Sequence, residues 1–123
     1  MLLHLDFGSD VPIYMQIRNQ IVMGIAEGKL QTGEKLPTIR ALSEECGINM
    51  MTVSKAYQIL KQEGYITTDR RSGARVALKD DKAVNEKTMQ QLRLAISELR
   101  LSGMKEEEIL SLVSGIYQEG DLK

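Results

Sequence analysis

The chain of 123 residues has one cysteine, one histidine, one phenylalanine and no tryptophan, and each shortage removes a class of chemistry. With Cys46 as the single thiol, no disulfide can close within the chain, as expected of a protein from a reducing compartment. His4 has no nearby cysteine or acidic cluster, so no ligand set for a metal and no acid-base or nucleophilic pair converges on it. No phosphate-cradling glycine loop occurs, and the carboxylates fall on helix surfaces without spacing suited to catalysis. An enzyme is therefore not expected, nor any cofactor or metal. No apolar run approaches the roughly 20 residues of a membrane span, and no basic, apolar and small-residue leader opens the chain. The expectation is a cytoplasmic protein without membrane contact.

A strong charge of one sign is also missing. The net charge of −1 argues against indiscriminate binding to nucleic acid, but it hides an asymmetry. Residues 1–78 hold nine Lys or Arg against eight Asp or Glu, while residues 79–123 hold seven against nine. The cations of the first part gather at Lys35, Arg40, Lys55, Lys61, Arg70, Arg71 and Arg75. Local patches of this kind, rather than the total, decide whether phosphates can be held.

What is present is concentrated in LPTIRALSEECGINMMTVSKAYQILKQEG, Leu36 to Gly64. Thr38 can cap a helix in which Ile39, Leu42 and Cys46 form one apolar stripe, and Gly47 ends it. Asn49 can cap a second helix only three residues on, with its side-chain oxygen taking the amide of Met51 or Thr52. Val53, Ala56, Tyr57 and Leu60 turn that second helix toward a core, so Met50, Met51, Ser54, Lys55 and Gln58 point elsewhere. Two helices across a short glycine-containing turn, the second offering its first residues outward, match the motif that lays a recognition helix in the major groove of DNA.

The surrounding motifs are PIYMQI, GKLQTGEKLPTIRAL, TVSKAYQIL and EGYI, between Pro12 and Ala77. In their order and spacing they resemble the winged helix-turn-helix domain of the GntR family of bacterial transcription regulators. The resemblance implies DNA contacts from Arg40, Asn49, Met50, Thr52, Ser54 and Lys55. It also marks departures. The family often places a charged or polar residue where this chain has Met50 or Met51, and a methionine cannot bond guanine bidentately, though it can touch a thymine methyl. Packing of both methionines against the wing or the first helix is the alternative. The usual second wing-tip glycine is replaced by Arg71, and the usual Thr-Phe pair by Ala74-Arg75. Arg70, Arg71 and Arg75 can compensate by reaching phosphates or a narrow groove.

The rest of the chain fits around this motif. Leu3, Leu5 and Phe7 alternate as a short extended arm, and a helix runs from Pro12 to Glu27 through Ile13, Ile17, Gln20 and Ile21, ended by Gly28. Lys29 to Lys35 reads as a returning loop. Tyr65 to Thr68 and Ala74 to Leu78 read as the strands of a hairpin, the wing. Cys46, on an apolar stripe and beside Glu44 and Glu45, reads as a buried, inert thiol. After a charged junction at Lys79 to Lys82, a helix from about Ala83 to Leu101 places Met89, Leu92, Ile96 and Leu99 on a seam. A second, from Glu106 to about Gly120, carries Ile109, Val113, Ile116 and Tyr117 on one face.

The expected architecture is mainly α with a small β-hairpin. A winged helix-turn-helix DNA-binding domain spans 1–78, and a two-helix tail spans 79–123. Two helices with such seams have more apolar surface than they can leave in water, and a two-fold partner would cover it, making the eight seam residues a dimerisation set. The short tail resembles the YtrA-type subgroup of the family, which implies a dimerisation arm and a repressor. The expected function is thus a homodimeric, sequence-specific regulator of transcription on a palindromic site in double-stranded DNA, with any small-molecule effector unidentified. The alternative is a winged-helix module that binds only protein, which would have no need of Arg40, Lys55 and three wing arginines around one helix start.

Overall fold

The computed structural model describes residues 1, 3–77 and 84–119, and the chain divides into two compact units, Met1–Lys79 and Asp80–Lys123. The first unit holds α1 (Ile13–Ala26), α2 (Ile39–Cys46), α3 (Met50–Gln62), β1 (Ile66–Asp69) and β2 (Gly73–Val76). The second holds α4 (Glu86–Leu101) and α5 (Glu106–Glu119). Leu78, the charged junction at Lys79 to Lys82, the start of the tail helix at Ala83, and Gly120 lie outside the described residues.

The capping residues set the helix boundaries of the motif. Thr38 Oγ1 accepts the Ala41 amide at 3.0 Å and Asn49 Oδ1 accepts the Met51 amide at 2.6 Å. Gly47, at φ +67°, closes α2: its amide and that of Ile48 donate back to the carbonyls of Glu44 and Ser43. A side chain at that left-handed position would strain the turn that fixes α3 against α2.

The core of this unit is shared by every element. Ile17 and Ile21 from α1, Leu42 from α2, and Val53, Ala56 and Leu60 from α3 have no solvent exposure, and Ile66, Ala74 and Val76 close the sheet side. Tyr57 adds its ring to this cluster, and its hydroxyl donates to the Pro37 carbonyl at 2.8 Å. Burial first, and the charge at Cys46 second, push the Tyr57 phenol above its ordinary range. Arg18 on α1 bonds both oxygens of Glu63 at 2.8 and 3.0 Å and lies over the Tyr65 ring, which ties α1 to the turn leaving α3. That ion pair is also the main reason the Arg18 guanidinium is raised further.

Three features differ from the sequence expectation. The stretch expected as a loop, Lys29 to Lys35, ends as an added edge to the wing. The Gly33 amide donates to Val76, Val76 donates to Glu34, and Leu36 donates to Ala74, so Lys35 stands directly across from Arg75. The bonds involve backbone alone, which leaves no side-chain pattern to read. The strands themselves pair Ile66 with Val76 and Asp69 with Gly73, one residue later on β1 than expected. The amino-terminal arm is fastened rather than merely extended. Gln16 on α1 accepts the Asp6 amide and donates to the Asp6 and Val11 carbonyls, while Gln20 exchanges two bonds with the His4 backbone.

Within the second unit, the first described helical residue is Glu86 and Asn85 Oδ1 caps it through the Lys87 amide at 2.7 Å. Glu108 reaches back to the Lys105 amide at 2.9 Å and starts α5.

Candidate nucleic-acid interface

The outward side of α3 is built by elimination. With Val53, Ala56, Tyr57 and Leu60 in the core, the helical period places Met51, Lys55, Gln58 and Gln62 on one outer stripe, all exposed, with Met50 and Ser54 flanking it on one side. Met51 is 78% exposed and Met50 45%, so the methionines do not serve as core packing. Thr52 and Ser54, expected as DNA contacts, are half-buried at the edges of the stripe. Asn49 is exposed; its Oδ1 is held by the cap bond and its Nδ2 carries no bond among the described residues, so it can donate outward.

Lys55 has a partner that the sequence did not reveal. Its ammonium lies 4.1 Å from the centre of the Tyr14 ring, in the first turn of α1. A cation over an aromatic face is held without being neutralised, so Lys55 keeps its charge for an incoming phosphate. The only advance signal was a Tyr and a Lys on two helices that both had to face the same core, and spacing along the chain cannot pair them. Gln58, expected to point outward, lies exposed on the same outer stripe.

Arg40 stands exposed at the second position of α2, without a carboxylate partner among the described residues. A hollow of about 310 Å³ separates α3 from the wing, lined by Thr38, Ser54, Gln58, Lys61, Thr68 and Asp69 among others. At the wing tip Arg70 and Arg71 are exposed in a three-residue turn. Asp69 holds it closed, accepting from the Arg71 amide at 3.1 Å and the Ser72 hydroxyl at 3.2 Å, and Gly73 at φ +75° completes it. One glycine therefore suffices for the turn despite Arg71. Arg75 does not extend to the tip. Its guanidinium donates to the Gly33 carbonyl at 3.1 Å, back toward the base of the hairpin and beside Lys35.

The pattern of pairing is informative. Of the nine cations in residues 1–78, Arg18 bonds Glu63 and Lys29 lies 3.7 Å from Glu27. The other seven, Lys35, Arg40, Lys55, Lys61, Arg70, Arg71 and Arg75, have no carboxylate within ion-pair distance among the described residues. They are the ones around the motif and the wing. Directly opposed like charges such as Lys35 and Arg75 destabilise an edge unless an anion lies near, and a phosphate backbone is such an anion.

Cys46 is half-buried rather than fully enclosed, and burial with the charge of Glu45 raises its thiol pKa. That environment opposes thiolate formation. Among the described residues no three potential ligands come together for a metal, and no helix is long and apolar enough to cross a membrane.

In the second unit the expected contact residues divide. Ile109 is buried, at 7% exposure, so it is withdrawn from any outer face. Met89, Ile96 and Leu99 are half-buried, whereas Leu92, Val113, Ile116 and Tyr117 are exposed, Tyr117 by 81%. The sequence missed Leu94, Leu101, Leu110 and Leu112, which are exposed as well. A furrow of about 690 Å³ passes Met104, Leu112, Gly115 and Ile116 along α5.

Known proteins share this arrangement. The model of the family described as bacterial regulatory proteins, gntR family, matches residues 13–76, from the first residue of α1 to the last of β2. The HTH-type transcriptional repressor YtrA of Bacillus subtilis is 32% identical over 112 residues, covering 88% of this chain and 86% of that protein. A transcriptional antiterminator from Listeria monocytogenes superposes with a TM-score of 0.81 at 33% identity, covering 98% of this chain and 92% of the other. YtrA from Sulfolobus acidocaldarius, a GntR-family transcription factor, gives a TM-score of 0.58 at 37% identity over 95% of this chain and 97% of its own. AraR(DBD), solved in complex with operator ORX1, gives 0.56 at 27% identity over 63% of this chain and 99% of its own. The helix-turn-helix geometry, the unpaired cations around it and these likenesses agree: the chain belongs to the GntR family of bacterial transcription regulators, is of its YtrA type, and carries a DNA-binding winged helix-turn-helix domain.

Proposed function

We propose that the protein acts in the cytoplasm as a homodimeric repressor that binds a palindromic operator. In this reading α3 lies in the major groove of each half-site, with Asn49, Met50, Thr52, Ser54 and Lys55 along its leading end. Arg40 and Lys35 hold the flanking backbone, Arg70 and Arg71 reach from the wing tip, and Arg75 acts from the hairpin base. The observation that carries the dimer is the exposure of Leu92, Val113, Ile116 and Tyr117 on the tail helices. Such residues gain about 25 cal/mol for each Å² removed from water, and a second copy offers the same surface in return. Met89, Ile96 and Leu99, half-buried beside them, would border that contact. The repressor role is supported by YtrA of Bacillus subtilis, which bears that name.

A dimer also answers the problem of affinity. Residues 1–78 carry a net charge of +1, which supplies little nonspecific attraction, so one recognition helix alone would bind weakly. Selection of bound sites from a random DNA library by the full chain, with sedimentation of the same protein, tests the reading. Recovery of inverted repeats by a protein of twice the chain mass is expected. Single half-sites bound by a monomer would overturn the dimer and the palindrome, and recovery of no common sequence would favour the protein-only alternative. Repression is tested separately, by placing the selected site at a promoter in front of a reporter.

A further inference from the structure

We infer that Met50 and Met51 are specificity-determining residues that read the C5-methyl groups of thymines in the operator. The inference rests on the reading of α3 as the helix that enters the major groove, and goes beyond it by naming what that helix recognises.

The argument is one of supply. Bidentate readout of guanine takes Arg or Lys, and of adenine Asn or Gln. At the leading end of α3 none is free to act so. Asn49 has its side-chain oxygen held by the Met51 amide, so turning that side chain for bidentate readout would break the cap. Lys55 is drawn to the Tyr14 ring. Thr52 and Ser54 are short and half-buried. What is left exposed in the first turn is apolar: two unbranched thioether side chains at consecutive positions, Met51 at 78% and Met50 at 45% exposure. The cap places them in the first turn of the helix, where base edges are met.

Two exposed methionines at one helix start cost solvation in the free protein. The major groove offers an apolar group at one base alone, the methyl of thymine, and removing it from water against a thioether is favourable. A flexible, polarisable side chain also adapts to the methyl without the fixed geometry that a hydrogen bond requires. The operator should therefore carry thymines where α3 begins, with cytosine in their place discriminated against for want of a methyl.

The test uses the full chain and its selected site. Each thymine is replaced in turn by deoxyuridine, which removes the methyl and leaves every hydrogen-bonding group in place, and affinity is measured at fixed salt. At one or two positions in each half-site the affinity should fall about fourfold per methyl, the value of one buried methylene-sized group. That difference should vanish in the Met50→Ala, Met51→Ala double variant and survive in the Met50→Leu, Met51→Leu variant. Both positions are exposed, so neither variant loses core packing, and thermal melting confirms the fold. If no thymine responds to loss of its methyl, the inference is overturned while DNA binding stands. It is equally overturned if the response persists in the alanine variant, or disappears in the leucine variant. If the chain selects no sequence at all, the reading of α3 fails with it.

Discussion

The winged domain and the tail use the same devices to begin their helices and differ in what covers them. Asn49 caps α3 and Asn85 caps α4 by the same bond to the amide two residues on. Yet α3 buries Val53, Ala56, Tyr57 and Leu60, whereas α4, with 16 residues, has none buried and α5 has only Ile109. Caps and periodicity determine that a helix forms and where it starts. They do not supply a partner for its apolar side. The first unit finds that partner within its own chain, and the second leaves a large part of its apolar surface open. Isolated helices of about 12–15 residues are marginal in water, so the tail gains most from being covered.

The widest separation between the two regions should come from equivalent truncations of apolar side chains. Leu42→Ala, at a site with no exposure, should cost the winged domain about 2–5 kcal/mol in a denaturant melt. Ile116→Ala, at 57% exposure, should move the melt of the winged domain by no more than about 0.5 kcal/mol and instead raise the dimer dissociation constant in sedimentation. A tail variant that unfolded the winged domain would end the comparison.

Removal of the tail after Leu78 comes next. Linking two DNA-binding modules raises overall affinity by about 10²–10⁴, so the fragment should bind a paired site at least a hundredfold more weakly while remaining folded. A gel shift with one and two half-sites measures this. A fragment that kept the full preference would place the dimer contact in the winged domain.

A smaller effect sharpens the account of the core. Tyr57→Phe should cost about 1 kcal/mol through loss of the bond to Pro37. Because the folded phenol titrates above its unfolded value, the stabilisation from the protonated form is complete below about pH 10 and is lost as pH rises toward the folded pKa. The wild type should therefore lose stability on the alkaline side, and the phenylalanine variant should lack that component of the loss when chemical melts are compared across the range.

The smallest change contrasts two exposed arginines. Arg40→Gln should reduce the slope of log affinity against log salt by about 0.9, the value of one phosphate contact. Arg100→Gln, in the last turn of α4, should leave the slope unchanged. Equal slopes for both variants would remove Arg40 from the backbone contacts.

Local chemistry was legible in the sequence and long-range chemistry was not. Thr38, Gly47 and Asn49 announced the helix-turn-helix because a cap acts on amides two or three residues away. The core stripe of α3 was legible because its period is intrinsic to the helix. Arg75 was placed correctly on the wing, but its turn toward Gly33 depends on an edge formed by backbone bonds from Gly33 and Leu36, to which side chains contribute nothing. Lys55 was assigned to DNA without Tyr14, since the pair exists only once α1 and α3 are packed. Gln20 was counted within the first helix, yet the role it shares with Gln16 appears only when the arm lies alongside. The cap of the first tail helix has a readable local signal, Asn85 followed by Glu86.

Gln16 and Gln20 hold the arm through main-chain atoms of residues 4, 6 and 11, and never through a side chain of His4 or Asp6. A clasp of that kind is blind to the identity of what it grips. Sequence drift at His4 is thereby almost unconstrained, while Gln16, with three bonds made by one amide at 9% exposure, admits no ready substitute because neither glutamate nor leucine can both donate and accept. In a library that randomised the arm together with α1, the tolerated letters would crowd at position 4 and thin to one at 16, an asymmetry of information between the two halves of a single contact.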